Sequence, residues 1–190
     1  MRKQRKKFEK PSHPWQKARL DEESVIVKEY GLKSKRELWK MQSKLKHFTS
    51  QVKHFATMAD ETAAKQRNLL LAGLASLGLL KENSNVDDVL NLGLKDILER
   101  RLQTIVFRKG LAKSIKQARQ FITHNHVEIG ERIVSVPSYL VKNREEPAVT
   151  IAGKSSLSRP DHPERIVEKK AEKRVKRSRE KPKRKRFERK

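Results

Sequence analysis

The clearest periodic pattern in the chain is an apolar stripe in its first third. Its members recur at alternating steps of three and four: Leu38, Met41, Leu45, Phe48, Val52 and Phe55. Because this spacing places side chains on one face of an α-helix, residues 21–58 are predicted to be helical. We expect the stripe to pack against neighbouring helices of the same domain. A coiled-coil seam is the alternative, but two heptads are too few to favour it.

Two further segments have helical character before the middle of the chain. Residues 60–80 are rich in Ala and Leu, and Gly78 is predicted to end this helix. Leu79 is then expected to fold back onto the helix as a hydrophobic cap contact. A short helix is predicted over 86–92.

A pair of helices is predicted next, over 94–110 and from Ser114 onward. The apolar side of the first contains Ile97, Leu98, Leu102, Ile105 and Val106, and Gly110 ends it. Its opposite, polar side contains Arg100, Arg101, Gln103, Thr104 and Arg108. Ser114 begins the second helix, and Gln117 three residues later completes a capping-box pattern. The buried face of this helix is predicted to contain Ile115, Ala118, Phe121 and Ile122.

The hydrophobic period changes from helix-like to strand-like after residue 126. Residues 127–129 and 133–136 predict two strands joined by a tight turn at 130–131, with Pro137 at the edge or end. Residues 149–151 predict a third strand. Since such short strands do not persist alone, we expect them to form a small sheet that covers the preceding helix pair.

These elements predict an α+β protein with four parts. A helical N-terminal domain spans 21–96, and a module spanning 97–152 packs two helices on a short antiparallel sheet. Residues 1–20 are predicted to be an extended basic arm, and 153–190 a basic tail, part of which could form a helix between Pro163 and Lys181. Residues 1–19 carry eight Lys/Arg and one Glu, and residues 154–190 carry 17 Lys/Arg and six Asp/Glu.

The charge balance indicates a polyanionic partner. The 190 residues include 47 Lys+Arg and 23 Asp+Glu, a formal net charge of +24. Such a charge repels itself until an anion compensates it, and cations that meet phosphates gain by releasing condensed counterions. Nucleic acid is the favoured partner. An anionic membrane and a merely solvated basic surface are the alternatives.

Several function classes are excluded by composition and motifs. The chain has no cysteine, which removes disulfides, thiolate zinc sites and cysteine nucleophiles. The phosphate-binding, nucleophile-elbow, zinc-protease and dinucleotide signatures do not occur. The N-terminus does not resemble a secretory signal, and the apolar run 69–80 is too short to span a bilayer. We therefore predict no enzyme activity, no cofactor, no small-molecule substrate and no membrane partner.

The candidate site is a basic face of the helix pair. Basic and polar side chains converge near its turn and along its second helix, where the free N–H groups after Ser114 would add an anion site. The predicted RNA-binding residues are Arg100, Arg101, Arg108, Lys109, Lys113, Ser114, Lys116, Gln117, Arg119, Gln120, His124, Asn125 and His126. The pair resembles a helix-turn-helix in outline, so a DNA-binding transcription factor is the first alternative.

Histidine and tryptophan offer weaker signals. His124 and His126 would need at least one further ligand to hold a metal, so RNA contact or turn packing is favoured. His47 and His54 are expected on a helix surface. Trp15 and Trp39 could stack on bases, but packing is the better expectation for Trp39, which adjoins the apolar stripe.

The second half of the chain resembles the RNA-binding module of ribosomal protein four of the small subunit. The resemblance is carried by Glu99-Arg100-Arg101-Leu102-Gln103-Thr104, Arg108-Lys109-Gly110-Leu111-Ala112, Ser114-Ile115, Gln117-Ala118-Arg119-Gln120, His124-Asn125-His126-Val127 and Val136-Pro137-Ser138-Tyr139. The first half resembles the archaeal and eukaryotic form of that family through Lys17-Ala18-Arg19-Leu20-Asp21, Glu29-Tyr30-Gly31-Leu32 and Lys35-Arg36-Glu37-Leu38-Trp39. Gln103 stands where many bacterial members have Asp, and the zinc-binding cysteines of some members are missing. Composition and tail favour the archaeal type.

The resemblance implies a structural component of the small ribosomal subunit in the cytoplasm. It would bind small-subunit rRNA directly and early, and would nucleate assembly of the subunit body. It would adjoin ribosomal proteins five and twelve and influence translational accuracy. The same module is also an appendage of some RNA-modifying enzymes, but about 90 residues of basic helix leave no room for a catalytic domain.

Overall fold

The computed structural model describes residues 6, 8–58, 61–81, 84–159 and 162–163. Within these residues the chain forms seven α-helices, a three-stranded sheet and one 3-10 turn, which confirms the predicted α+β class. The helices are α1 Lys17–Glu29, α2 Lys35–Thr57, α3 Glu61–Ser76, α4 Val86–Leu90, α5 Leu94–Glu99, α6 Leu102–Arg108 and α7 Ile115–Thr123. The strands are β1 Val127–Ile129, β2 Arg132–Ile133 and β3 Val149–Ile151, and the turn is Ser156–Ser158.

The first helical segment is divided in two. Gly31 adopts a left-handed φ of 57°, and Leu32 N–H bonds back to the carbonyl of Val27, which ends α1. The prediction of continuous helix over 21–58 is therefore wrong between α1 and α2. The extended arm predicted for 1–20 is also wrong from Lys17, where α1 begins. Within α2 the predicted stripe is confirmed.

The end of α3 agrees with the sequence. Gly78 has a φ of 71°, its N–H donates to Ala75, and Leu79 N–H donates to the carbonyl of Leu74. These two bonds are the Schellman arrangement that satisfies the last carbonyls of a helix. The predicted stop at Gly78 and the returning Leu79 are thus confirmed.

The helix predicted over 94–110 is also wrong in its continuity, because it breaks at Arg100 and Arg101. Arg101 forms an isolated antiparallel bridge with Leu140, and Leu102 N–H donates to the carbonyl of Tyr139 at 2.8 Å. The carbonyl of Arg100 accepts from Val141 N–H at 3.0 Å. Backbone groups that a continuous helix would pair internally are paired instead with a segment about 40 residues later.

The predicted small sheet is confirmed. Its strand order is β2-β1-β3, with both pairs antiparallel and Val127 opposite Ile151. The sheet covers α6 and α7, and the core between them contains Leu102, Ile105, Val106, Ala118, Phe121, Ile122, Val127 and Val149. The returning strand is shorter than the predicted 133–136, since β2 ends at Ile133 and Val136 is 52% exposed.

Two smaller cores hold the helical part together. Ile97 and Leu98 of α5 pack with Leu38 and Met41 of α2, and a separate cluster joins α2, α3 and α4. Among the described residues, no helix combines the length and apolar character needed to cross a membrane. The predicted tail helix between Pro163 and Lys181 lies outside the described residues except at Pro163.

Candidate nucleic-acid interface

Helix α7 begins with the predicted serine cap. Ser114 Oγ accepts from Gln117 N–H at 3.2 Å, and Gln117 Oε1 accepts from Lys113 N–H at 2.6 Å. The cap at Ser114 is confirmed, although Lys113 and not Ser114 donates the second hydrogen bond. These contacts fix the direction in which α7 leaves the turn.

One face of α7 presents cationic and polar groups to solvent. We call this face the α7 strip, and it consists of Lys113, Lys116, Gln120 and His124, all exposed. Lys116, Gln120 and the C-cap residue His124 follow one another at steps of four and so lie on one side of α7, while Ala118, Phe121 and Ile122 face the core. Lys113 lies just before the helix. Ser114 and Gln117 lie at the start of this strip. Lys113 Nζ also donates to the carbonyl of Pro163 at 2.8 Å, which places the start of the tail beside it.

Arg100 and Arg101 do not reach this surface. Arg100 is 9% exposed, and its guanidinium donates to Glu146 Oε2 at 2.6 Å and to the carbonyl of Val141 at 3.0 Å. Arg101 is 1% exposed and donates to Glu37 Oε2 at 2.7 Å. Of the polar side predicted for this segment, Gln103 and Thr104 are buried as well, and Arg108 alone of its five members is exposed.

Arg119 turns from α7 toward the helical part of the molecule. Its guanidinium donates to both carboxylate oxygens of Glu37, at 2.8 and 3.2 Å, and to Gln103 Oε1 at 3.4 Å. Burial pushes the pKa of Glu37 upward, but the hydrogen bonds from Arg119 and Arg101 outweigh it and hold that pKa below its ordinary value. Glu37 is therefore a charged carboxylate shared by two arginines.

Arg108 and Lys109 lie at the end of α6, next to the turn that leads into α7. Arg108 forms an exposed ion pair with Glu99 at 2.9 Å. Lys109 Nζ donates to the carbonyls of Pro147 and Val149, each at 3.1 Å, and so ties α6 to the sheet. Both side chains are engaged within the protein.

The His124-Asn125-His126 turn follows α7 directly. Asn125 has a φ of 62°, and His126 stands edge-on to Phe121 with Ser155 Oγ 2.8 Å from its Nδ1. His126 is therefore packed inside the turn, and His124 is the exposed member. In the part of the chain that the structure describes, no group of three or more His, Cys, Asp or Glu is placed to hold a metal.

The aromatic residues of the N-terminal segment have different surroundings. Trp39 is packed as predicted, with Nε1 donating to Glu23 Oε1 at 3.1 Å and Phe8 lying 6.1 Å from its ring. Trp15 is 90% exposed. His47 and His54 are on the surface of α2 as predicted.

Two further cations that no sequence pattern connects to the module lie beside it in the structure. Lys33 and Arg36 are exposed at the start of α2, and the ion pair between Glu37 and Arg119 brings that helix end beside α7. In the sequence they belong to a polar helix start 80 residues away. The periodicity of neighbouring residues in the sequence does not indicate which distant segments will come into contact on folding.

Comparison with known proteins gives consistent matches. The family model described as S4 domain matches residues 100–146. A protein of Nanoarchaeum equitans named small ribosomal subunit protein uS4 is 47% identical over 174 residues, which is 90% of this chain and 97% of the relative. A protein of the same name from Picrophilus torridus is 45% identical over 86% of this chain and 91% of its own. The one from Hyperthermus butylicus is 44% identical over 90% of this chain and 97% of its own.

Proposed function

Because this chain belongs to the uS4 family of small ribosomal subunit proteins, we propose that it binds small-subunit rRNA directly through the α7 strip. Membership makes the chain a structural component of the small ribosomal subunit and not an enzyme. The observation that carries the proposal is the exposure of Lys113, Lys116, Gln120 and His124 along one face of α7. That face belongs to the segment that matches the S4 domain.

The chemistry of the strip suits a folded RNA. Two ammonium groups at a fixed spacing can meet successive phosphates, and the amide of Gln120 and the imidazole of His124 can hydrogen-bond sugar or phosphate oxygens. The deep groove of A-form RNA hides base edges from side chains, so phosphate position and RNA shape would carry most of the recognition. We place Ser114, Gln117 and Asn125 at the border of the strip. Arg100 and Arg101 are outside the proposed interface because their guanidinium groups are buried.

The proposed role in the cell is that of an early binder. A chain of net charge +24 gains most from RNA before other proteins have neutralised the phosphates, which supports a part in nucleating assembly of the subunit body. Contacts with ribosomal proteins five and twelve, and an influence on translational accuracy, are proposed from the family resemblance.

The direct test compares two polyanions of equal charge. The full-length protein is titrated with a structured small-subunit rRNA fragment and with duplex DNA at near-physiological ionic strength. Tighter binding to the rRNA fragment is the expected result. Equal affinity for both would contradict a ribosomal RNA site and would favour the helix-turn-helix alternative. Reconstitution of small subunits with and without the protein then tests the early role in assembly.

A further inference from the structure

The turn between α1 and α2 and the start of α7 meet at a close contact. Gln103 Nε2 donates to the carbonyl of Gly31 at 3.2 Å and to that of Ile115 at 3.0 Å. A Cβ at Gly31 would lie 2.5 Å from Ile115 Cγ2, so no larger residue fits there without displacement. The α1–α2 turn and the start of α7 are therefore in direct contact although Gly31 and Ile115 lie more than 80 residues apart in sequence.

Glu37 links the same two elements by charge. Ser34 and Glu37 have the spacing of a capping box, in which Glu37 would accept from the backbone N–H of Ser34. Among the described residues, however, Ser34 makes no side-chain capping bond, and the Glu37 carboxylate accepts from Arg101 and Arg119. Glu37 thus bonds to the module through both oxygens.

This link is protected from water. The Arg101 side chain is 1% exposed, and those of Glu37 and Arg119 are 18% and 25% exposed. Removal of the carboxylate would leave the Arg101 guanidinium buried without its counter-charge, a costly arrangement that the two elements would relieve by separating or rotating. The relative placement of α2 and α7 consequently depends on this carboxylate as well as on the Gly31 contact.

Exposed cations lie on both sides of the link. Lys33 and Arg36 precede Glu37 at the start of α2, and Lys113 and Lys116 flank the start of α7. Within the described residues no hydrogen bond or ion pair engages the side chains of Lys33, Arg36 or Lys116. The Gly31 contact and the Glu37 link bring together the two segments that carry these pairs of cations.

We propose that Glu37 is a positioning residue for RNA recognition, which holds the Lys33–Arg36 cations of α2 against the α7 strip as one rigid docking surface. The partner is a folded RNA that presents two backbone segments, one to each pair of cations. The inference rests on the proposed function and extends the interface beyond the residues of the S4 domain match. Glu37 contacts no RNA itself, since its carboxylate is already shared by two arginines.

The first test compares Glu37→Gln with Glu22→Gln. Both variants remove one negative charge, but Glu22 is exposed on α1. Relative to Glu22→Gln, Glu37→Gln should weaken binding of the structured rRNA fragment by about tenfold, which is about 1.4 kcal/mol. Affinity for unstructured polyuridylate should be the same in both variants. A purely structural role would lower the melting temperature and leave the ratio of the two affinities unchanged, which would overturn the proposal. Glu37→Asp should recover part of the ratio.

The second test does not depend on the folding of a Glu37 variant. Lys33→Ala/Arg36→Ala removes two exposed cations, and Lys65→Ala/Lys81→Ala removes two others on and after α3 as the control. The first double variant should flatten the dependence of log affinity on log salt by about two units. Equal slopes in the two double variants would overturn the proposal. If the unaltered protein failed to prefer the rRNA fragment over DNA, the proposed function would fail instead.

Discussion

At the scale of single residues, the cationic side chains near the helix pair fall into two groups, buried arginines and exposed lysines. Arg100 and Arg101 are buried and each donates to a carboxylate, Glu146 and Glu37 respectively. Lys116 on α7 and Lys113 just before it are exposed. The guanidinium group suits the buried positions because its planar fork can donate several bonds at once and it is more weakly hydrated than an ammonium. The exposed positions are occupied by lysine, whose flexible side chain lets its ammonium group adjust to the position of a phosphate.

Replacing a buried arginine should destabilise the fold far more than replacing an exposed lysine. Arg101→Ala leaves a cavity and removes one of the two partners of Glu37, so we expect a loss of about 3 kcal/mol in the free energy of unfolding. Lys116→Ala should change it by less than about 0.5 kcal/mol. Urea denaturation followed by circular dichroism measures both. Similar midpoints for the two variants would show that the Arg101 pair contributes little.

The lowered pKa values of Glu37 and Glu23 predict a specific acid sensitivity. Burial raises the pKa of both groups. At Glu37 the hydrogen bonds from Arg119 and Arg101 outweigh this effect, and at Glu23 those from Trp39, Arg19 and Lys35 do so. A carboxyl whose pKa is lowered by folding stabilises the folded state at any pH above its ordinary pKa of 4.5. This contribution is lost as the pH falls through the folded-state pKa.

The measurement is the urea midpoint as a function of pH, from neutral pH down through the ordinary carboxyl range. Glu37→Gln should be less stable than the unaltered protein at neutral pH and should lose less stability on acidification. Glu22→Gln, in contrast, should follow the unaltered protein. A Glu37→Gln curve parallel to that of the unaltered protein would mean that this carboxylate is not stabilised by its two arginines.

At the scale of elements, glycine and tertiary pairing decide where the helices end. Gly78 and Gly110 each follow a run with helical periodicity, and the period stops there, so the sequence predicted that a helix ends at each. Gly31 ends α1 inside a stretch with continuous helical character. A glycine is needed there because Ile115 lies against it and leaves no room for a side chain. The break at Arg100 and Arg101 depends on the segment around Leu140. Neither break has a local signal strong enough to outweigh helical periodicity.

Gly73 inside α3 and Gly78 just after it should respond to alanine in opposite directions. At Gly78 the φ of 71° disfavours any side chain, and a Cβ would lie 2.1 Å from Asn143 Oδ1, so Gly78→Ala should cost more than about 1 kcal/mol. At Gly73, inside the helix, nothing lies within 4 Å of the added Cβ. Gly73→Ala should therefore stabilise the protein by about 0.5–1 kcal/mol. Denaturation midpoints that move in the same direction would contradict this account.

At the scale of the whole molecule, three cores and one excess of charge determine its behaviour. The cores hold α1 to α5 together and close the sheet over α6 and α7. The net charge of +24 works against compactness until a polyanion is bound. The resemblance to ribosomal protein four of the small subunit, in its archaeal form, is confirmed by the extent and identity of the archaeal relatives.

Binding to rRNA should accordingly depend steeply on salt. If about ten phosphates are neutralised, log affinity should fall against log salt with a slope of about −7 to −9. Lys116→Ala should flatten that slope by about one unit, and Arg119→Ala by less, because Arg119 is held by Glu37. Filter-binding titrations at several salt concentrations measure the slopes. Equal changes for the two variants would mean that Arg119 leaves Glu37 when RNA binds.

The sequence by itself determined the features that depend on near neighbours or on sums. These are the amphipathic stripe of α2, the cap at Ser114, the stop at Gly78, the small sheet after residue 126, and the large positive charge. Tertiary structure alone decided which cations face solvent. Arg100, Arg101 and Arg119 find their carboxylates 46, 64 and 82 residues away. Periodicity within a helix is local, whereas the counter-charge of a buried group can lie anywhere that folding brings close.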